Sequence, residues 1–171
     1  MAEPAAQDLY ERDFYAWTQD QAARLRALAG DNRFDVAHVA EEIEDLGASK
    51  RSALASHLRQ ALHHLLLLAG SPAVEPRDKW LDEVDLHCDE MRNLLKESPS
   101  LLRQIDLDDV WRTAVQSANR KLQRYGENPV RANDPCPVEI GELADTERDL
   151  SQLQAVVADA VTIETPAHGS P

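Results

Sequence analysis

Apolar residues recur at helical pitch along most of the chain. Tyr10, Phe14, Trp17, Gln21, Leu25 and Leu28 fall three or four apart, which predicts an amphipathic helix over about residues 8–29. Asp8 is placed to cap its start and Gly30 to end it. Val36, Ala40, Ile43, Gly47, Leu54, Leu58, Ala61, Leu65 and Leu68 then share one stripe, at about 100° per residue. The phase survives Gly47, so 35–69 is one long helix or two coaxial ones jointed there. Leu65 to Leu68 point to all sides, which places that end inside a core. The segment Ser71-Pro-Ala-Val-Glu-Pro76 breaks the pattern. A third helix follows over 77–97, its inner face formed by Trp80, Val84, His87, Cys88, Met91, Leu94 and Leu95.

Ser98-Pro-Ser100 stops that helix, because proline disfavours helical backbone in the residue before it. Asp106 or Asp108 opens a fourth, with Trp111, Val115, Ala118, Leu122 and Tyr125 inward and Gly126 closing it. Residues 127–137 contain three prolines and read as loop. A short helix near 138–143 precedes a last one from Thr146, with Leu150, Leu153, Val157 and Val161 inward. No strand-length alternation and no internal repeat stands out. The expected fold is all-α, a helical bundle of about four main helices with a C-terminal helical addition. The expected division is a bundle domain over 8–143, a C-terminal helix over 144–163 packed on it, and a disordered tail over 164–171.

Charge narrows the partners. The 171 residues carry a net charge of −13, which argues against general binding to nucleic acid or to anionic membranes. The charge is uneven: residues 31–48 hold six acids against Arg33 alone, and 103–131 hold six bases against four acids. Acids at the start and bases at the end of the fourth helix complement its dipole. A phosphate- or RNA-facing patch there has no aromatic ladder or glycine loop to support it. The longest apolar run, Leu65 to Gly70, is too short to span a membrane, and the N-terminus has no basic or apolar leader. A cytoplasmic location is expected. Cys88 and Cys136 lack metal-ligand spacing.

One constellation has potential chemistry. On the wheel of the second helix, Glu42, His57 and His64 lie on one flank, while His38, Glu41, Asp45 and His63 project away. If the second and third helices run antiparallel, His64 and His87 come near each other. Glu42 is about 33 Å from His64 along a straight helix, and joins it only if Gly47 folds the helix back. The candidate buried polar cluster is therefore Glu41, Glu42, His64 and His87. Metal sites in bundles often use Glu and His three apart. His38 and Glu41 have that spacing but face outward, so no metal and no cofactor is expected. His57 and His64 read as boundary residues and His87 as a hydrogen-bonded core histidine. A phosphate-binding glycine loop, His-Glu-x-x-His and a nucleophile elbow are absent.

Three function classes remain open, and with them whether the protein is an enzyme. The sequence favours the first, a non-catalytic interaction module, self-associating or bound to a protein partner, with the other two as alternatives. The second is a metal-binding or hydrolase-like domain using Glu and His of the second and third helices. The third is an acidic antidote that covers a basic partner.

Tyr10-x-x-Asp13-Phe14-x-x-Trp17-x-x-x-Gln21-Ala22-x-x-Leu25-Arg26 and Asp35-x-x-x-Val39-Ala40-Glu41-Glu42-Ile43-x-x-Leu46-Gly47 resemble the opening of the bacterial family called domain of unknown function 29. His64-Leu65-Leu66, Trp80, Ser98-Pro99-Ser100-Leu101 and Pro135-Cys136-Pro137 follow in that family's order. The resemblance covers about residues 8–143. It implies an all-helical bacterial protein and no particular activity. The family usually has a lysine soon after the histidine-leucine segment, where this chain has Leu67-Leu68-Ala69.

Overall fold

The computed structural model describes residues 4–28 and 34–164, with side chains from Asp8 onward. Gly30, Asp31 and Arg33, and the tail beyond 164, lie outside the described residues. Among the described residues the chain is all-α apart from one short ribbon. Its helices are α1 (Pro4–Arg12), α2 (Phe14–Ala27), α3 (Val36–Gly70), α4 (Arg77–Glu97), α5 (Leu107–Arg124), α6 (Ile140–Leu143) and α7 (Leu150–Asp159). A 3-10 turn spans Pro99–Gln104, and the strands are β1 (Val130–Ala132) and β2 (Val161–Ile163). The chain divides into two compact units, with boundaries inside α3 and α4. One comprises the chain up to Ala55 with Arg92–Ile105; the other comprises Ser56–Met91 with Asp106 onward.

In the first unit the predicted opening helix is two. Asp13 leaves helical geometry (φ −156°, ψ 87°) and caps α2, its carboxylate accepting from the Ala16 amide. The same carboxylate accepts from the Ser100 amide at 2.8 Å and the Ser100 hydroxyl at 2.9 Å. Ser98 Oγ accepts from the Tyr15 amide. The Ser98-Pro-Ser100 stop is thus also the brace of the opening helices. Burial follows Tyr15, Thr18 and Ala22, one position round from the expected stripe. Tyr10 and Leu28 of that stripe are exposed, and Tyr10, Phe14 and Trp17 pack on one another instead.

Gly47 is not a joint. Helix α3 runs unbroken through it, and a Cβ there would lie 2.3 Å from Thr18 Oγ1 and 3.2 Å from the Tyr15 ring. The glycine lets two helices approach closely.

In the second unit the end of α3 is buried all round: Leu65, Leu66 and Leu67 are fully buried and Leu68 nearly so. Val84, Cys88, Trp111, Ala114, Ala118, Leu122, Leu143 and Val157 complete this core. Asp106 caps α5, its carboxylate accepting from the Asp109 amide, and Gly126 closes it at φ +73°. Gly126 is suited to that left-handed turn.

Two expectations fail here. The loop after α5 contains a strand, and the last helix is shorter than predicted. Asp149, not Thr146, caps α7. Beyond Asp159 the β-branched run Val161-Thr-Ile163 favours extended backbone. It pairs antiparallel with Val130–Ala132, Val130 opposite Ile163. Asn119 holds the other edge of Val130, donating to its carbonyl and accepting from its amide, both at 2.8 Å. Strands of three residues are too short to show alternation in a sequence. Arg148, with only 6% of its side chain exposed, ion-pairs with Asp85 and Asp89 of α4 and fastens the segment before α7. Among the described residues, no helix is long and apolar enough to cross a membrane.

Candidate metal centre

The second unit contains a histidine-rich group built on two helices. On α4, Lys79, Glu83 and His87 stand four apart and therefore share a face. On α3, His57, Gln60 and His64 share a flank. His64, Glu83 and His87 are half-buried, and one ligand atom from each lies within 4.8 Å of the other two. Glu83 Oε2 is 3.8 Å from His87 Nε2. The rings of His64 and His87 are near-parallel, 16° apart with centroids at 6.4 Å. A tetrahedral zinc site with bonds of about 2.0–2.2 Å separates its ligand atoms by about 3.3–3.6 Å. The Glu83–His87 pair is already close to that spacing.

Two further histidines flank the group. His57 Nδ1 lies 3.0 Å from His87 Nδ1. His63 meets the His64 ring edge-on at 5.1 Å. The Nδ1 atoms of His63 and His64 are buried without a hydrogen-bond partner. A buried polar atom left unpaired costs about 1–3 kcal/mol. The group lines a cavity of about 680 Å³, whose wall also includes Lys79, Trp80, Lys121, Tyr125 and Glu127.

Burial and neighbouring charge lower the basicity of His63, His64 and His87, which favours their neutral forms. Burial is the largest cause for His64, His87 and His63 alike. It is followed by the charge of neighbouring histidines for His87 and His63, and Lys121 adds to it for His63 and His64. Glu83 opposes the shift at His64 and His87. His63 is pushed down to about 4. A neutral imidazole has a lone pair to give a metal ion, and a protonated one has none. Two imidazoles and a carboxylate form a set suited to zinc or iron, with one or more coordination positions left for water or substrate.

The structure brings His64 and His87 together. Glu41 and Glu42 are exposed on α3 in the first unit, and the group contains neither of them. Their side chains leave the apolar stripe, and unbroken helix at Gly47 gives no fold-back. Glu83 is the residue that sequence reasoning missed. Its signal is Glu83-x-x-x-His87, a carboxylate and an imidazole one helical turn apart. The search for Glu and His three apart does not catch that spacing.

An all-helical domain with a half-buried histidine–carboxylate group beside a cavity is the class these features define. Within it, the chain belongs to the family described as Domain of unknown function DUF29, whose sequence pattern matches residues 9–147. It is similar to an alpha-helical protein of unknown function from Rhodospirillum rubrum. The two are 29% identical, the match covers 85% of this chain and 95% of the other, and the TM-score is 0.74. Comparison with curated proteins returned no match.

Proposed function

We propose that this domain binds a first-row transition metal ion, zinc foremost, through His64, Glu83 and His87. Remaining coordination positions face the cavity. The convergence of the three ligand atoms within 4.8 Å carries this reading. The depressed basicity of both histidines supports it, as does a cavity of about 680 Å³, within the size range of small-molecule pockets. An open metal position turns bound water into a nucleophile near neutral pH, so a hydrolase-like activity is the chemistry to look for once a metal is bound.

The test is metal content and calorimetric titration of the full chain purified without chelator. About one zinc ion per chain is expected, with a melting temperature that rises on zinc addition. His64→Ala, His87→Ala and Glu83→Gln should each weaken binding by at least about tenfold, since each removes one of three ligands. No bound metal and an unchanged melting curve with zinc, manganese and iron would overturn the proposal.

A second reading is association between copies of the chain. It draws on Val39 and Leu46, which are exposed seven residues apart on α3, the spacing of a helix-pairing face. The mass of the protein in solution decides it.

A further inference from the structure

We propose that His57 is a positioning residue of this metal site, holding His87 in the tautomer that presents Nε2 to the metal. The inference rests on the metal reading above and adds a fourth residue to it.

The geometry is specific. The contact joins Nδ1 of His57 to Nδ1 of His87 at 3.0 Å, and the ring centroids are 5.2 Å apart at 50°. A hydrogen bond between two imidazoles needs one nitrogen that carries a proton and one that is bare. If His87 donates, its proton sits on Nδ1, and its Nε2 is left bare 3.8 Å from Glu83 Oε2. If His57 donates, the proton of His87 sits on Nε2 and blocks it as a ligand. A metal ion at Nε2 selects the first arrangement, and His57 stabilises it by accepting.

Ligating histidines generally pass their second N–H to a fixed acceptor, which orients the ring and raises its basicity. Helix geometry explains why His57 fills that place. His57 and His64 stand seven apart on α3, about 10 Å along its axis, and the His87 ring contacts both. One helix therefore supplies His87 with a co-ligand on one side and an acceptor on the other. The unbroken, seven-residue register sets both at once. His57 touches His87 rather than the proposed metal position, so it acts through its neighbour.

The experiment titrates zinc and cobalt(II) into the full chain and into two variants. His57→Phe keeps a ring of similar size and removes the acceptor. His57→Gln supplies an amide oxygen that accepts. The expected result is zinc affinity about 10- to 100-fold weaker in His57→Phe, with substantial recovery in His57→Gln. The visible cobalt absorption should change in the first variant and approach that of the unaltered chain in the second. Melting of the metal-free proteins shows whether each variant is folded, and a misfolded His57→Phe leaves His57→Gln against the unaltered chain as the comparison, with affinity within about tenfold expected. Unaltered affinity and cobalt spectrum in His57→Phe would overturn the role of His57 and leave the metal site standing. So would a folded His57→Gln that binds no better than His57→Phe. No metal bound by the unaltered chain would overturn the metal reading itself.

Discussion

At the scale of single residues, Gly47 decides more than its size suggests. It sits in the apolar stripe of α3 and could be read there as a weak point, because glycine in a helix interior costs about 1 kcal/mol relative to alanine. Packing explains it better. A methyl group at Gly47 would meet the Thr18 hydroxyl, itself fully buried and donating to the Tyr15 carbonyl at 2.8 Å. Gly47→Ala is expected to destabilise the protein by about 1–2 kcal/mol. Overpacking costs about 1–3 kcal/mol, and improved helix propensity returns up to about 1 kcal/mol. Urea denaturation checks this. Adding Thr18→Ala removes the clashing oxygen and should recover much of the loss, whereas a stabilised Gly47→Ala would show that Gly47 is no contact point. The stripe revealed that Gly47 faces inward. It could not reveal what the glycine faces, since that depends on Thr18, some thirty residues away in sequence.

At the scale of elements, aspartates cap α2, α5 and α7, and the aspartate that precedes α3 is coupled to pH. Asp35 precedes α3, its carboxylate accepting from the His38 amide and contacting His38 Nδ1 at 2.5 Å. The His38 bond lowers Asp35 below its usual value of 3.8, and Asp35 raises His38 above 6.5. The two shifts act in opposite directions. The raised histidine contributes fully below 6.5 and loses its contribution as pH rises through its folded value. The depressed aspartate contributes fully above 3.8 and loses its contribution as pH falls through its folded value. The first turn of α3 should therefore be firmest between about 3.8 and 6.5. Amide exchange in that turn, followed from pH 5 to pH 8 with correction for intrinsic rates, should show protection falling at the alkaline end. Flat protection across that range would exclude the coupling.

Long, periodic helices were the most legible elements. The periodicity predicts the third helix over the same residues as α4, Arg77–Glu97. For the fourth, the pattern offers Asp106 or Asp108 as the cap and Gly126 as the close; Asp106 caps α5 and Gly126 turns the chain after it. The break at Asp13 was hidden because helical spacing continues across it while Ser100, far along the chain, takes up the carboxylate. The candidate site was half legible for a similar reason. His64 and His87 lie on facing stripes, but a wheel carries no information on which residue of a partner helix stands opposite. The Glu83-x-x-x-His87 spacing is local, but the place of that pair opposite His64 depends on the register.

At the scale of the whole molecule, the family pattern ends at residue 147, yet the fold does not. The ribbon partner of Val130–Ala132 is Val161–Ile163, and the buried Leu153 and Val157 lie between. The ladder is extended at both ends: the Asn133 amide donates to the Ala160 carbonyl, and the Glu164 amide donates to the Pro129 carbonyl. A chain ending at 147 is expected to lose about 3 kcal/mol or more, because at least two large buried side chains disappear from the core. Thermal melting against the full chain measures it, and an equal melting temperature would show the C-terminal segment to be dispensable.

That ribbon also bears on how relatives should be delimited. A boundary placed where sequence likeness fades would sever one rail of a two-rail track. The surviving rail would offer bare amides and carbonyls to any passing backbone. Stickiness in such a shortened polypeptide would then be an artefact of the cut and no guide to what the intact protein binds.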